Sequence, residues 1–469
     1  MSVLLVRPPR RDARDAGLPV PPLGLAYLAG VSARAGRQVE ILDAYALDWS
    51  WARFEQELAH RRPDVLGLGT MTPVADVAYR AVKIARRYAG QIIMGGPHPT
   101  AVGAQIFQDC PEIDHLAIGE AEETWLPYLD WVAQGATGAP PAGIRAKDQE
   151  FREHRPTQHI EAIPWPARHL LPQTAYRYLM ATRPGFATMV TSRGCPFSCS
   201  FCDKSVGGSK WRARGASSVV DELQALQKTG VGFVNFYDDN FTLHRKRVVD
   251  ICEEILRREL DIEWKCEGRV DGVDTKLLKL MRRAGCRVVA FGVESGNAET
   301  LALLRKDVKV EQVEQAFAAC RAAGVRSLAY IILGAPGETA AQVNHTLRFV
   351  QDIGADYVQF SSLVALPGTP LFAEYGHRAP ADVQNPVDGD QQRHTVTDLP
   401  PEQLAKLMGQ AWRGFYLRPK PLFRLGADAY HSGAWREALR LGGAMARWSL
   451  PWERPAGSPY QPSRAQEGL

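Results

Sequence analysis

The sequence predicts an α/β protein of two parallel-sheet domains: an open, doubly wound sheet of Rossmann-like pattern, then a partial (β/α)6 barrel of TIM type, then a helical C-terminal segment. Three observations carry this reading. Strand-length apolar runs alternate with helix-length segments in residues 1–135, and the alternation restarts in residues 186–375. Between them, residues 136–185 gather Pro, Gly, Arg and His and lose the rhythm, which marks a connector. Beyond Tyr375 strand patterns cease, and helical patterns fill residues 401–415 and 427–447 of a segment that spans 376–469.

In the first domain the strand-like runs are residues 3–6, 38–42, 65–68, 92–94 and 115–118, and a helical pattern over residues 23–35 follows the first of them. Five strands with helices between them make an open sheet whose ligands lie in the crevice at the carboxyl ends of the strands. The loops at those ends are Thr70-Met71-Thr72-Pro73, Gly95-Gly96-Pro97-His98 and Gly119-Glu120-Ala121-Glu122-Glu123. Their small and hydroxylated residues suit a flat or extended ligand lying across the sheet edge.

In the second domain the strands are predicted at residues 188–191, 232–237, 262–266, 287–293, 328–333 and 357–363. Ser217 or Ser218 is expected to cap a helix that stops at Gly230, Asp274 one that stops at Gly285, and a third is expected to end at Gly324. Six such units make three quarters of a TIM barrel, which builds its sites at the carboxyl-terminal mouth. The last dozen residues read as a disordered tail.

Composition excludes more than it identifies. With 469 residues, 45% apolar and 23% charged, the chain has enough apolar residues for two cores, and a net charge of +4 gives no basic stripe for nucleic acid. There is no transmembrane-length apolar run, and Pro8-Pro9 break the N-terminus too early for a signal peptide, so a cytoplasmic protein is expected.

Eight cysteines are present, and three of them crowd into Gly194-Cys195-Pro196-Phe197-Ser198-Cys199-Ser200-Phe201-Cys202, directly after the first barrel strand. Three thiolates on a cubane of four irons leave one iron open to an exogenous ligand, whereas electron-carrier clusters normally use four cysteines. The competing readings are a zinc site, which wants a fourth ligand not found nearby in sequence, and three core thiols. Cys110, Cys252, Cys286 and Cys320 read as packing residues, with Cys266 left open because its strand end could face the barrel interior.

Spacing, aromatic and strand context together resemble the radical SAM superfamily, whose signature is CxxxCx(aromatic)C, with Phe201 in the aromatic place. The resemblance implies a [4Fe-4S] cluster on Cys195, Cys199 and Cys202. It also implies S-adenosylmethionine (SAM) chelated to the unique iron and cleaved to a 5'-deoxyadenosyl radical, with a flavodoxin- or ferredoxin-like electron donor. It further implies SAM contacts from Phe201, Asp238, Arg269, Glu294, Ser295 and Gly334. For Asp238, Arg269 and Glu294 the plainer reading is a helix cap or a surface charge. Tyr237-Asp238-Asp239 stands where the family often has Gly-Gly-Glu.

With the barrel following it, the N-terminal domain resembles the cobalamin-binding domain of cobalamin-dependent radical SAM enzymes, in the branch of the anaerobic magnesium-protoporphyrin ester cyclase. Thr70, Thr72, Gly95, Gly96, Gly119 and Glu120 are then the expected corrin contacts. The lower-ligand histidine of Asp-x-His-x-x-Gly is missing from Arg10 to Gly17, and His98 reads better as a hydrogen-bonding residue than as a ligand. A Rossmann-like domain without corrin is the alternative. The resemblance implies an enzyme, a probable methyltransferase acting on an unactivated carbon of a small-molecule biosynthetic intermediate. Oxidative ring closure on a tetrapyrrole and a non-catalytic iron-sulfur carrier are the competing functions.

Overall fold

The computed structural model describes residues 1–447 except 13, 14, 16, 379, 380 and 385–390; of residues 381–384, 391–394 and 444–447 only the backbone is described. The expected tail lies outside the described residues.

The first sheet is built from β1 (Val3–Arg7), β2 (Glu40–Asp43), β3 (Val65–Gly69), β4 (Gln91–Gly95), β5 (His115–Ala117) and β6 (Ile144–Ala146), in spatial order β2-β1-β3-β4-β5-β6. The first five are parallel, and β6 runs antiparallel to β5. Both faces are covered by apolar layers, so β1 and β3 are buried nearly throughout, as a sheet flanked by helices on both sides requires. The sixth strand comes from the segment read as a connector: Gly143, at φ 84°, turns the chain back beside β5. The order reverses between β1 and β3, which puts the crevice above the ends of β1, β3, β4 and β5.

The barrel begins with β7 (Phe186–Met189), followed by a small antiparallel pair, β8 (Ser192–Arg193) and β9 (Arg212–Ala213). Then come β10 (Phe233–Phe236), β11 (Glu263–Gly268), β12 (Cys286–Glu294), β13 (Arg326–Leu333) and β14 (Tyr357–Ser362), all parallel in the order β14-β13-β12-β11-β10-β7. This is an open, curled parallel sheet, the partial barrel the sequence predicts. Alternation decides what faces where: Trp264 and Cys266 join the core packed under the helices, while Lys265 and Glu267 point the other way. Cys266 is therefore a packing residue, like Cys252, Cys286 and Cys320 in the same core.

Helix signals are mixed in outcome. Asp274 caps Thr275–Arg283 by accepting from Leu277 N–H at 2.7 Å, and Gly324 ends Val310–Ala323 in the left-handed conformation. Helix Ala216–Lys228, in contrast, starts at Gly215 and not at Ser217 or Ser218; Ser218 Oγ accepts from Arg214 Nε at 3.2 Å. Two further expectations are corrected. Strands do not cease at Tyr375, since β15 (Ala381–Gln384) and β16 (Gln391–Thr395) form an antiparallel pair. The helix predicted over residues 427–447 is two helices, Pro419–Ser432 and Trp435–Arg447, because Gly433 takes φ 68° and caps the first.

Candidate functional site

The cysteine loop leaves β8 and returns to β9. Gly194 has φ 82°, and a Cβ there would lie 2.4 Å from Lys210 O, so only glycine makes this turn. The loop is fastened on several sides. Cys195 N–H donates to Gly208 O (3.2 Å), Ser200 N–H donates to Leu304 O (3.0 Å) and Leu371 N–H donates to Ser200 O (2.8 Å). Arg269 stacks its guanidinium 3.7 Å from the centre of the Phe197 ring, and Phe201 packs against Leu304, Ala335 and Leu363.

Cys195, Cys199 and Cys202 are half-exposed, whereas the other five cysteines are buried. Burial pushes the Cys202 thiol up to about 11, with Cys199 and Cys195 adding to the shift, and raises Cys199 as well. The three sulfurs thus sense one another. Among the described residues no three Cys, His, Asp or Glu are already drawn into metal-ligating geometry. Raised thiol values mean that metal binding on this loop is coupled to deprotonation. Three half-exposed thiols on one short, fastened loop fit a three-cysteine cluster.

The other expected SAM residues divide into two groups. Glu294 sits at a bulge in β12, with φ 65°, a left-handed conformation unusual outside glycine. Its Oε1 accepts from buried Lys306 Nζ at 2.7 Å, and Lys306 Nζ lies 6.0 Å from the Phe201 ring centre, so the bulge aims Glu294 at the cysteine loop. Gly334, at φ 83°, donates its N–H to Glu338 Oε2 (2.7 Å), and a Cβ there would press on Leu404 of the C-terminal helix Pro401–Tyr416.

Asp238, Arg269 and Ser295 are likewise engaged within the protein, behind the loop and the strand ends. Asp238 is buried and accepts from Thr191 N–H (2.6 Å), Thr191 Oγ (2.5 Å) and Ser192 Oγ (2.6 Å), pinning the strand that leads into the loop. Arg269 pairs with Asp271 and donates to Lys306 O and Asp307 O. Ser295 hydrogen-bonds Thr346 Oγ1 at 3.1 Å. Asp239, the neighbour of Asp238, is the carboxylate closest in role to the loop: it accepts from Gly194 N–H at 2.9 Å, and burial raises its carboxyl.

On the first sheet, Gly69 pairs in register with Gly95 at the ends of β3 and β4, and Gly119 follows β5 at φ 78° with open space where a side chain would stand. Three side-chain-free strand ends make a flat shelf. Gly96, at φ 101°, comes so close to Thr70 that a Cβ would be 2.9 Å from Thr70 O. This shelf fits a planar macrocycle, and sequence reasoning missed Gly69 although it ends a clear strand. Both nitrogens of His98 are engaged within the protein: its Nε2 bonds Tyr79 OH (2.8 Å), its Nδ1 bonds Thr72 Oγ1 (3.2 Å), and burial lowers it to about 4. Thr72 is occupied by that contact, and Thr70 Oγ1 by Met71 O at 3.2 Å.

Glu120, expected as a corrin contact, joins the two domains. Its carboxylate is buried against two guanidinia of the barrel, Arg212 (Nη1 to Oε2 3.0 Å, and Nη2 to Oε1) and Arg193 (3.1 Å), while Arg193 also pairs with Glu122 at 2.6 Å. Arg193 and Arg212 face each other in the β8–β9 pair at the neck of the cysteine loop. The shelf loop and the cysteine loop are therefore bolted together.

Inside the barrel lies a polar network that sequence reasoning also missed. Lys265 is wholly buried, donates to Glu267 Oε1 and lies 3.4 Å from Asn235 Oδ1, while Tyr330 OH donates to the same Glu267 oxygen at 3.1 Å. Glu267 Oε2 and Thr188 Oγ1 have no hydrogen-bond partner among the described residues. The only available signal was alternation: Glu263, Lys265 and Glu267 alternate along the strand with Trp264 and Cys266.

Comparison with known proteins agrees with this geometry. Residues 189–350 match the Radical SAM superfamily, and residues 12–126 match the B12 binding domain. An uncharacterized methyltransferase of Pyrococcus horikoshii is 33% identical over 90% of this chain and 94% of its own length. The anaerobic magnesium-protoporphyrin IX monomethyl ester cyclase of Rubrivivax gelatinosus is 30% identical over 76% of this chain and 67% of its own. Among solved structures, the radical S-adenosylmethionine methyltransferase TsrM of Kitasatospora setae, with cobalamin and a [4Fe-4S] cluster bound, superposes with a TM-score of 0.73 at 17% identity, covering 96% of this chain and all of that one. Two domains in this order, a three-cysteine loop at the barrel mouth and relatives matched over nearly the whole length have one reading: the chain belongs to the cobalamin-binding radical SAM enzymes, whose cofactors are a [4Fe-4S] cluster, SAM and cobalamin.

Proposed function

We propose that this enzyme is a C-methyltransferase that moves a methyl group from SAM to an unactivated carbon of a small-molecule biosynthetic intermediate. The observation that carries the reading is the Glu120–Arg212–Arg193 bolt, which holds the glycine shelf and the cysteine loop against each other. A corrin supplies methyl transfer and a SAM-ligated cluster supplies hydrogen abstraction, and one substrate can meet both only if the two sites are fixed together.

In this reading Cys195, Cys199 and Cys202 hold the cluster, and Phe201, Glu294 and Gly334 border SAM. Asp238, Arg269 and Ser295 set the loop and strand ends from behind. Gly95, Gly96 and Gly119 floor the corrin, with Thr70 and Thr72 shaping its rim. Lys265, Glu267 and Tyr330 line the lumen where the substrate would reach, and the unpartnered Glu267 oxygen favours a substrate with a hydrogen-bond donor. A flavodoxin- or ferredoxin-like protein would supply the reducing electron.

The test uses reconstituted holoenzyme, reductant and SAM carrying a deuterated methyl group, with mass spectrometry of the extracted corrin and of small products. Label on the corrin with S-adenosylhomocysteine supports methyl transfer. With candidate substrates, 5'-deoxyadenosine without S-adenosylhomocysteine means radical chemistry without methylation, as in ring closure, and refutes the proposal.

A further inference from the structure

We propose that the C-terminal helical hairpin docks this enzyme on an anionic lipid surface. The hairpin consists of Pro419–Ser432 and Trp435–Arg447, joined at Gly433. Its inner face is accounted for: Ala429 and Ala434 pack on Leu179, with Leu18, Ala438 and Leu441 around them, and buried Asp428 bonds Tyr357 and Arg326. The opposite face should then be polar, and it is not.

On Pro419–Ser432 Phe423 and Tyr430, two turns apart, lie opposite the packed side and Leu422 lies at its edge, in line with Ala429; on Trp435–Arg447 the outward residues are Trp435 and Leu439. All five are exposed, Phe423 and Tyr430 by 80% and 82%. Together with Leu417 they are six of the eleven large apolar side chains exposed among the described residues, gathered on one short stretch of chain. Such a concentration marks an interaction surface.

Charge selects the occupant. From Leu417 to Gly443 the sequence has five Lys or Arg against two Asp or Glu, and one of those two, Asp428, is buried inside. Lys420, Arg436 and His431 are exposed beside the apolar residues, as is Arg440, which reaches Asp48 of the first domain. Trp, Tyr, Phe and Leu bordered by basic side chains is the composition of a helix that lies in the lipid headgroup region. A second copy of this face would oppose like charges, and residues 448–469, with two Arg and two Glu, carry no net negative charge to complement it.

The test is co-sedimentation of the full-length holoenzyme with phosphatidylcholine vesicles, with and without about one-third phosphatidylglycerol. Binding is expected to the anionic vesicles, weakened at least about tenfold by raising salt and at least about tenfold by Phe423→Glu with Trp435→Glu. Iron content and hydroxocobalamin uptake of that variant should match the parent, which shows that it folds. Three results would overturn the proposal: no binding to anionic vesicles, equal binding of parent and variant, or a light-scattering mass of a dimer that falls to a monomer in the variant without any vesicle binding. Vesicle binding by a chain ended at Arg447 but not by the full chain would also overturn it, by showing that the tail covers the face.

Discussion

Replacing Glu120 by Ala should loosen the neck of the cysteine loop without unfolding either domain. The side chains of Glu120 and Arg212 are only 5% and 3% exposed, so the substitution leaves a buried guanidinium without its carboxylate. Breaking a buried pair from one side costs about 3–5 kcal/mol. Arg212 keeps Thr157 O at 2.8 Å and Gly207 O at 3.1 Å, and Arg193 keeps Glu122, which puts the expected cost near the lower end, about 3 kcal/mol. That corresponds to somewhat more than a hundredfold in the opening equilibrium of the neck. Hydrogen exchange followed by mass spectrometry reads it directly: peptides spanning residues 192–213 should exchange about a hundredfold faster, while peptides from β11 to β13 stay protected. Arg212→Lys, which keeps the charge but not the paired geometry, should fall between. Unchanged protection over residues 192–213 in Glu120→Ala would refute the claim that this contact couples the two loops.

Three further outcomes are expected. Single changes of Cys110, Cys252, Cys266, Cys286 or Cys320 to Ser should leave the iron content of reconstituted protein unchanged, because all five are buried packing residues; loss of iron in any one would mean a ligand was misplaced. Burial holds His98 and His115 at about 4, below the ordinary value of 6.5, so both are neutral in the folded chain, and the unfolded chain binds more protons between those values. Their stabilisation is present above about pH 6.5 and is lost as pH falls toward 4, at most about 3 kcal/mol each, so the urea midpoint should drop on acidification and His115→Gln should flatten that drop. A slope identical in parent and variant would contradict it. Because both His98 nitrogens are already bonded, electron paramagnetic resonance of bound cob(II)alamin should lack axial nitrogen splitting and be unaltered in His98→Ala; a splitting lost in that variant would show that His98 is a ligand after all.

Much of the fold was legible because parallel strands buried on both faces read as apolar runs at regular intervals, and because Gly285 and Gly324 end helices where only glycine fits comfortably. The strand Ile144–Ala146 was hidden: three residues paired at a sheet edge leave no periodicity to detect. Ser217 and Ser218 misled because a good capping residue does not cap when Gly215 already begins the helix. The crowding of Cys195, Cys199 and Cys202 was visible in the sequence, and the structure sets these three apart by exposure from the five buried thiols. The contacts of Asp238, Arg269 and Ser295 were not visible, since a polar residue at a strand end looks the same in sequence whether or not it meets Thr191, Phe197 or Thr346. The Glu120 bolt and the Lys265–Glu267–Tyr330 network depend on partners tens of residues away, and no local pattern announces those.

The account rests on one chain carrying both cofactors at separate, coupled sites, and cofactor analysis of a triple Ala variant at Cys195, Cys199 and Cys202 tests it most directly. Anaerobically reconstituted parent protein should hold about four irons and four sulfides per chain, bind hydroxocobalamin and cleave SAM. The variant should lose iron, sulfide and all SAM cleavage while still binding the corrin on the first domain. A full cluster or residual SAM cleavage in the variant, or a parent that takes up no cobalamin, would contradict the account.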